Sequence, residues 1–131
     1  MPQHPVEVIL TRELASHLAQ PVFLVDESGR LLFYNEAAET LVGAPFAEVG
    51  EMSLEEWSAA FAPRDDRGHL VDHRNLPLVV ALREQRAVQG RGSLTGFDGV
   101  TRLVRVTAIP LSAESGHCRG AFSLFWERAG R

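Results

Sequence analysis

The chain has 131 residues, the length of one globular domain, and its 45% hydrophobic and 23% charged residues are ordinary values for such a domain. Its 17 acidic residues outnumber its 13 basic ones, which disfavours a nucleic-acid-binding protein because such proteins carry basic surfaces that neutralise phosphates. All 13 basic residues are arginines, and the lack of lysine excludes P-loop nucleotide-binding proteins, protein kinases and pyridoxal-phosphate enzymes, whose sites need a lysine.

An amphipathic helix is predicted at the start of the chain, from Pro5 to Leu18. Its apolar residues recur at spacings of three and four, which places them on one stripe of a helix. The members of this stripe are Val6, Ile9, Leu10, Leu14, His17 and Leu18. We therefore divide the chain into an N-terminal helix, residues 1–18, which either caps a sheet or forms a dimer, and a domain formed by residues 19–131.

A β-hairpin and a short helix are predicted next. The runs Val22–Asp26 and Leu31–Asn35 are apolar, and Gly29 between them can take the positive φ of a tight turn. Asn35 lies where its side chain can cap the following helix, and Gly43 lies where glycine favours the end of a helix. These signals predict two paired strands and one helix between residues 22 and 43.

Two further helices are predicted in the middle of the chain. Ser53 and Glu56 have the spacing of a capping box, which marks a helix start, and Pro63 closes that helix. Asn75 is placed to cap another helix that runs from Leu76 to about Gln85.

The last third of the chain has the two-residue period of β-strands, at residues 87–96, 102–109 and 119–126. Pro110 is expected to end the second of these strands, because proline cannot donate to the hydrogen-bond ladder. The final strand is apolar on both faces, which is typical of a strand in the middle of a sheet that is covered on both sides. Strands separated by a block of helices predict an antiparallel α+β domain.

Several short motifs, in their order and spacing, resemble the PAS family. The resemblance extends from Leu18 to Arg128, nearly the whole chain. The motifs are Val22-Phe23-Leu24-Val25-Asp26, Gly29-Arg30-Leu31-Leu32, Asn35-Glu36-Ala37-Ala38-Glu39 with Gly43, Leu76-Pro77-Leu78 with Ala81-Leu82 and Val88, Asp98-Gly99, Val106-Thr107-Ala108-Ile109-Pro110-Leu111, and Gly120-Ala121-Phe122 with Glu127. The Leu76 motif is similar to a version common in bacterial members.

The resemblance implies the PAS fold, a five-stranded antiparallel sheet with helices on one face and an N-terminal amphipathic helix on the other. A small pocket between sheet and helices is common in the family, and the N-terminal helix often helps to form dimers. The residues expected to line such a pocket are Phe33, Leu41, Trp57, Phe61, Leu78, Leu82, Val104, Val106, Phe122 and Leu124. Those expected at a dimer interface are Val6, Ile9, Leu10, Leu14 and Phe125.

No cofactor is expected. Some PAS sensors bind haem through a histidine on the helix before the third strand, but Leu76–Gln85 contains none, so His73 just upstream is the only candidate axial ligand. Flavin photosensors of the family use a cysteine in the helical block, whereas Cys118 lies near the last strand. The pair His69 and His73 has the spacing of metal ligands on a helix, but the neighbouring arginines disfavour a metal cation.

The cellular setting is expected to be the cytoplasm. The single cysteine, Cys118, rules out an internal disulfide. No apolar run approaches the roughly 20 residues that cross a bilayer, and no secretory signal is visible at the N-terminus. We therefore expect no membrane contact.

The sequence thus predicts a non-catalytic sensor or protein-interaction module of bacterial signal transduction, which dimerises and binds a partner protein or a fused effector. No effector segment follows the last strand, so the chain is expected to be either a free-standing module or a piece of a larger sensor. One alternative is a small α+β enzyme, an isomerase or hydrolase, with a cavity acid for which Asp26 is the candidate. Another is a structural adaptor with a solid core and no ligand.

Overall fold

A computed structural model of the chain describes residues 4–112 and 116–128. The helices in these ranges are α1 (Val6–Ser16), α2 (Glu39–Val42), α3 (Phe46–Val49), α4 (Leu54–Phe61) and α5 (Pro77–Glu84), with 3-10 turns at Glu36–Ala38 and His73–Asn75. The strands are β1 (Val22–Asp26), β2 (Leu31–Tyr34), β3 (Val88–Thr95), β4 (Thr101–Ser112) and β5 (Cys118–Glu127).

The five strands form one antiparallel sheet in the order β2-β1-β5-β4-β3. The final strand, β5, therefore lies in the middle of the sheet, where its two apolar faces can both be covered. The predicted α+β class and the five-stranded antiparallel sheet are confirmed.

The two faces of the sheet are covered by different parts of the chain. On the core face, Phe23, Ala108 and Phe125 belong to a buried cluster with residues of α2, α4 and α5. On the outer face, Val8 of α1 packs with Leu24 and with other residues of the sheet. The remaining members of this outer cluster are Leu32, Phe33, Leu111 and Phe122.

Most of the local signals in the sequence act as predicted. The Asn35 side chain accepts a hydrogen bond from the backbone of Ala38, although the turn that it caps is a 3-10 turn leading into α2. Gly43 ends α2 with a φ of 80°. Ser53 and Glu56 form a complete capping box at the start of α4.

Two predicted boundaries are wrong. Asn75 does not cap α5: it lies in a 3-10 turn, and the helix starts with Pro77 after Leu76, without a side-chain cap. Pro110 does not end β4, which continues to Ser112. Pairing of β4 with β3 stops at Ala108, so Pro110 lies where one side of β4 has no neighbouring strand and a missing N–H is tolerated.

The fully buried side chain of Asn35 connects three parts of the fold. Its Oδ1 accepts hydrogen bonds from the backbone N–H groups of Val22 (3.0 Å) and Ala38 (3.1 Å). Its Nδ2 donates to the carbonyls at and after the end of α1, those of Ala15 (2.9 Å), Leu18 (3.3 Å) and Gln20 (2.8 Å). One amide group thus ties α1 to the start of β1 and to the turn before α2.

Replacing Asn35 by alanine is expected to lower the free energy of unfolding by about 2–4 kcal/mol, because several buried backbone groups would lose their partners. Urea unfolding of Asn35→Ala against the unchanged protein measures this. Asn75→Ala is the matched control, since Asn75 is the other asparagine of the chain and is exposed, and its effect should stay within about 0.5 kcal/mol. Equal effects of the two substitutions would contradict the role given to Asn35.

Tyr34, the only tyrosine in the chain, has a perturbed titration. Its side chain is 1% exposed, and its hydroxyl donates to the Ala44 carbonyl at 2.7 Å. Burial, with smaller contributions from the negative charges of Glu39 and Glu48, raises the pKa of Tyr34 to about 12.

The folded protein should therefore form tyrosinate only near pH 12. An unfolded chain ionises near pH 10, so the stability that Tyr34 contributes is complete below about pH 10 and is lost as the pH rises towards 12. Tyrosinate absorbance, with circular dichroism on the same samples to verify folding, measures the midpoint. Tyr34→Phe removes the signal and serves as the blank, and a midpoint near 10 in folded protein would refute the assignment.

Candidate ligand cavity

An apolar cavity of about 560 Å³ lies between the core face of β3 and β4 and the chain segment from α4 to α5. Its volume is within the range of small-molecule sites. Phe23 of β1 and Phe125 of β5 contribute to its lining, and their ring centroids are 4.9 Å apart. The other buried lining residues are Trp57, Pro63, Leu76, Leu78, Gly92, Leu94 and Val104.

Glycines in β3 allow another segment of the chain to lie against one side of the cavity. Residues 62–76, which we call the cover segment, cross over β3, and Arg64 exchanges two backbone hydrogen bonds with Ser93 (3.0 and 2.9 Å). A Cβ atom at Gly92 would lie 1.9 Å from the Arg64 carbonyl oxygen, and one at Gly90 would lie 2.8 Å from Pro77. Only glycine at position 92 permits this close approach of two backbones.

The rim of the cavity is polar and charged. Arg64, Asp65, Asp72 and Arg91 all contribute to the lining, and the first three belong to the cover segment. Hydrogen bonding by the backbone N–H of His69 is the main cause that lowers the pKa of Asp65. The Arg74 side chain is the main cause that lowers the pKa of Asp72 to about 2. Both rim acids are therefore charged at neutral pH.

Asp66 ties the cover segment to the sheet. Its carboxylate lies 3.4 Å from Arg91 Nε of β3 and 2.7 Å from Nη1 of Arg128, which follows β5 directly. The segment that covers the cavity is thus linked both to the edge strand and to the end of the central strand.

Four of the predicted pocket residues line the cavity: Trp57, Leu78, Val104 and Val106. Three others, Leu41, Phe61 and Leu82, belong to or pack against the same core but do not line the cavity.

Phe33, Phe122 and Leu124 were expected in the pocket but lie on the outer face of the sheet. Phe33 and Phe122 pack in the cluster with Val8 of α1. Along β5, Ala121 and Phe125 face the core, so the alternation of a strand places Phe122 and Leu124 on the opposite face. The expectation that these three share one cavity with Trp57 is therefore wrong.

Phe125, which was expected at a dimer interface, is a core residue. Its side chain is 6% exposed and lines the cavity beside Phe23. The prediction assigns the two faces of β5 the wrong way round, which corresponds to a shift of one residue along the strand. A strand that is apolar on both faces carries no polar alternation that would reveal which face is inward.

Several lining residues were not anticipated from the sequence, among them Phe23, Leu76, Gly90 and Gly92. A signal for the glycines was present, because two glycines at alternate positions of one strand leave space on a single face.

The other predicted interface residues lie on α1 and face solvent. Val6, Ile9, Leu10 and Leu14 are 59%, 53%, 62% and 62% exposed. The helix instead packs on the sheet through Val8 and Ala15, each 2% exposed, which lie seven residues apart on another side of the helix.

The candidate cofactor residues do not line the cavity. His73 is exposed in a 3-10 turn and does not line the cavity, and Cys118 is half-buried with its thiol directed to the Gly120 carbonyl at 3.3 Å. Within residues 4–112 and 116–128, no three histidine, cysteine or acidic side chains come together as a metal site. In the same ranges no helix has the length and apolarity needed to cross a membrane.

The fold of this chain is similar to that of several solved PAS domains. The solved PAS domain of a protein from Colwellia psychrerythraea is 17% identical, with a TM-score of 0.68 over 94% of this chain and 99% of that one. The PAS domain of BvgS from Bordetella pertussis is 18% identical, with a TM-score of 0.62 over 95% of this chain and 88% of that one. A PAS domain from a two-component sensor histidine kinase is 15% identical, with a TM-score of 0.62 over 94% of this chain and 97% of that one.

No curated protein matches the sequence significantly. The sequence model of the PAS fold family matches residues 15–131, which is most of the chain. Together with the five-stranded antiparallel sheet, this match shows that the chain belongs to the PAS fold family.

Proposed function

We propose that this PAS domain is a non-catalytic sensor module of bacterial signal transduction that binds a small, neutral and largely apolar ligand in its cavity. The observation that carries the proposal is the cavity of about 560 Å³ between the cover segment and the sheet. A void of this size in so small a domain favours a ligand sensor over an adaptor with a solid core. A domain of similar fold in a two-component sensor histidine kinase supports a signalling role.

The chemistry of the lining supports a neutral ligand. Every buried residue of the lining is apolar or glycine. Trp57 carries the one N–H donor among these buried side chains, and it already donates to the Gly29 carbonyl at 2.9 Å. A charged group inside the cavity would lose its hydration without gaining a partner, so any polar end of the ligand belongs at the rim beside Asn75 and Gln89.

The low pKa values of the carboxyl groups at the cavity rim argue against a catalytic function. A catalytic cavity acid requires a raised pKa, whereas the pKa values of Asp65 and Asp72 at the rim are lowered. Asp26 has a structural task, since its carboxylate accepts hydrogen bonds from the backbone of Ser28 and Arg30 in the hairpin turn.

The exposed stripe of α1 supports a homodimer as part of the same proposal. Four large apolar side chains that are each more than half exposed on one short helix favour a protein partner. The proposal also includes a signalling partner or fused effector and a cytoplasmic setting, which a lone cysteine in the chain favours.

Filling the cavity should abolish ligand binding. Val106→Trp places a large ring in the lining, and Nile red, a neutral apolar dye, is expected to bind this variant about tenfold or more weakly than the unchanged protein. Fluorescence titration measures the affinity, and native mass spectrometry tests whether ligand mass carried through purification is also lost.

Val100→Trp is the matched control, because Val100 is exposed in the turn between β3 and β4 and does not line the cavity. Circular dichroism verifies that both variants fold. A folded Val106→Trp variant that binds Nile red as tightly as the control would show that the cavity is not the binding site.

A further inference from the structure

A polar groove of about 770 Å³ lies along the edge strand β3, and most of its lining comes from the outer face of the sheet. Val106 and Phe125 line the apolar cavity on the core face, so the alternation of a strand turns Arg105 and Trp126 to the outer face. Arg91 lies directly opposite Arg105 and shares that face. The outer-face residues of the groove are Gln89, Arg91, Arg105, Thr107 and Trp126.

Two arginines lie side by side in this groove, Arg91 of β3 and Arg105 of β4. Ser93, two residues from Arg91, exchanges its backbone hydrogen bonds with Arg64 and therefore not with β4. The backbone groups of Arg91 point the same way, so Arg91 and Arg105 form the closer kind of antiparallel pair, with Cα atoms about 4.5 Å apart. Like charges directly opposite each other destabilise a sheet, so an anion held between the two guanidinium groups would stabilise this one.

The acids of the groove do not neutralise both arginines. The carboxylate of Asp66 lies 2.7 Å from Arg128 and 3.4 Å from Arg91, so two arginines share it. The carboxylate of Asp65 accepts hydrogen bonds from two backbone N–H groups of its own loop, at 2.8 and 3.0 Å. Arg105 is exposed and has no ion-pair or hydrogen-bond partner within residues 4–112 and 116–128. A positive charge is therefore left over at Arg105.

Neutral donors and an aromatic ring complete the groove. Gln89 and Thr107 lie directly opposite each other on the same face, each two residues from one of the arginines. In the part of the chain that the structure describes, their amide and hydroxyl groups have no hydrogen-bond partner. Trp126 lies directly opposite Arg105 on the other side of β4 and is 39% exposed. Four donor side chains thus form a two-by-two block with an indole ring beside it.

We propose that this groove binds a small organic phosphate that carries a planar ring, a nucleoside monophosphate being the simplest case. A phosphate group has three terminal oxygens and suits a block of two guanidinium groups, a hydroxyl and an amide better than a carboxylate does. The exposed indole of Trp126 can stack on a planar ring. Asp65 and Asp66 at the border, with a net charge of −4, disfavour a polyanion such as a nucleic acid. This site lies apart from the apolar cavity and does not depend on it.

Titration with AMP, followed by proton–nitrogen NMR of the indole N–H groups, tests the proposal. The chain has two tryptophans: Trp126 lines the groove, whereas Trp57 is buried and donates to the Gly29 carbonyl. AMP is expected to shift the Trp126 resonance and to leave the Trp57 resonance unchanged. Adenosine and inorganic phosphate each supply one half of the probe and are expected to bind about tenfold or more weakly.

Charge variants test the role of the arginine pair. Arg105→Gln removes the unpaired charge and is expected to weaken AMP binding about tenfold or more. Arg119→Gln is the control with the same change in net charge, since Arg119 lies at the other end of β5, and it should leave the affinity unchanged. Circular dichroism verifies that both variants fold.

Three results would overturn the proposal. The first is an unchanged Trp126 resonance in the presence of AMP. The second is a folded Arg105→Gln variant that binds AMP as tightly as the control. The third is adenosine binding as tight as that of AMP, because the groove would then not recognise the phosphate group.

Discussion

The amide of Asn35 fixes the position of α1 on the outer face of the sheet. It is buried between α1 and the hairpin, and its hydrogen bonds join carbonyls at and after the end of α1 to the first amide of β1. A second contact acts at the same place, because the Gln20 side chain donates to the Phe125 carbonyl of the central strand. With its end fixed there, α1 covers one part of the outer face, buries Val8 and Ala15, and leaves its apolar stripe in solvent.

The opposite face of the same sheet holds the cavity, and its existence depends on missing side chains in β3. Gly90 and Gly92 admit Pro77 and the Arg64 backbone at distances that no larger residue allows. The cover segment can then lie across β3, with Asp66 bridging Arg91 and Arg128. The sheet thus separates the apolar cavity on one face from α1 on the other, and β5 contributes Phe125 to the first and Phe122 to the second.

The sequence predicts the features that depend on neighbouring residues. It does not predict the features that depend on contacts between distant parts of the chain. The hairpin, the caps at Asn35 and Ser53 and the helix end at Gly43 depend on neighbours a few residues away, and all are present. The orientation of β5 is not encoded locally, because apolar residues at every position from 121 to 126 except Ser123 allow either face to point inward. The course of the cover segment depends on the close packing of Gly92 against the backbone of Arg64, 28 positions earlier in the chain. No short-range sequence pattern reveals such a contact.

The central claim is that small apolar molecules and protein partners use opposite faces of this sheet. Methyl-labelled NMR during a Nile red titration tests it most directly, since leucine and valine methyls report on both surfaces. The expected result is that shifts concentrate on Leu78, Val104 and Val106 in the cavity lining, while Leu10 and Leu14 of α1 stay unchanged. Shifts confined to the α1 leucines, with the cavity methyls unmoved, would contradict the claim.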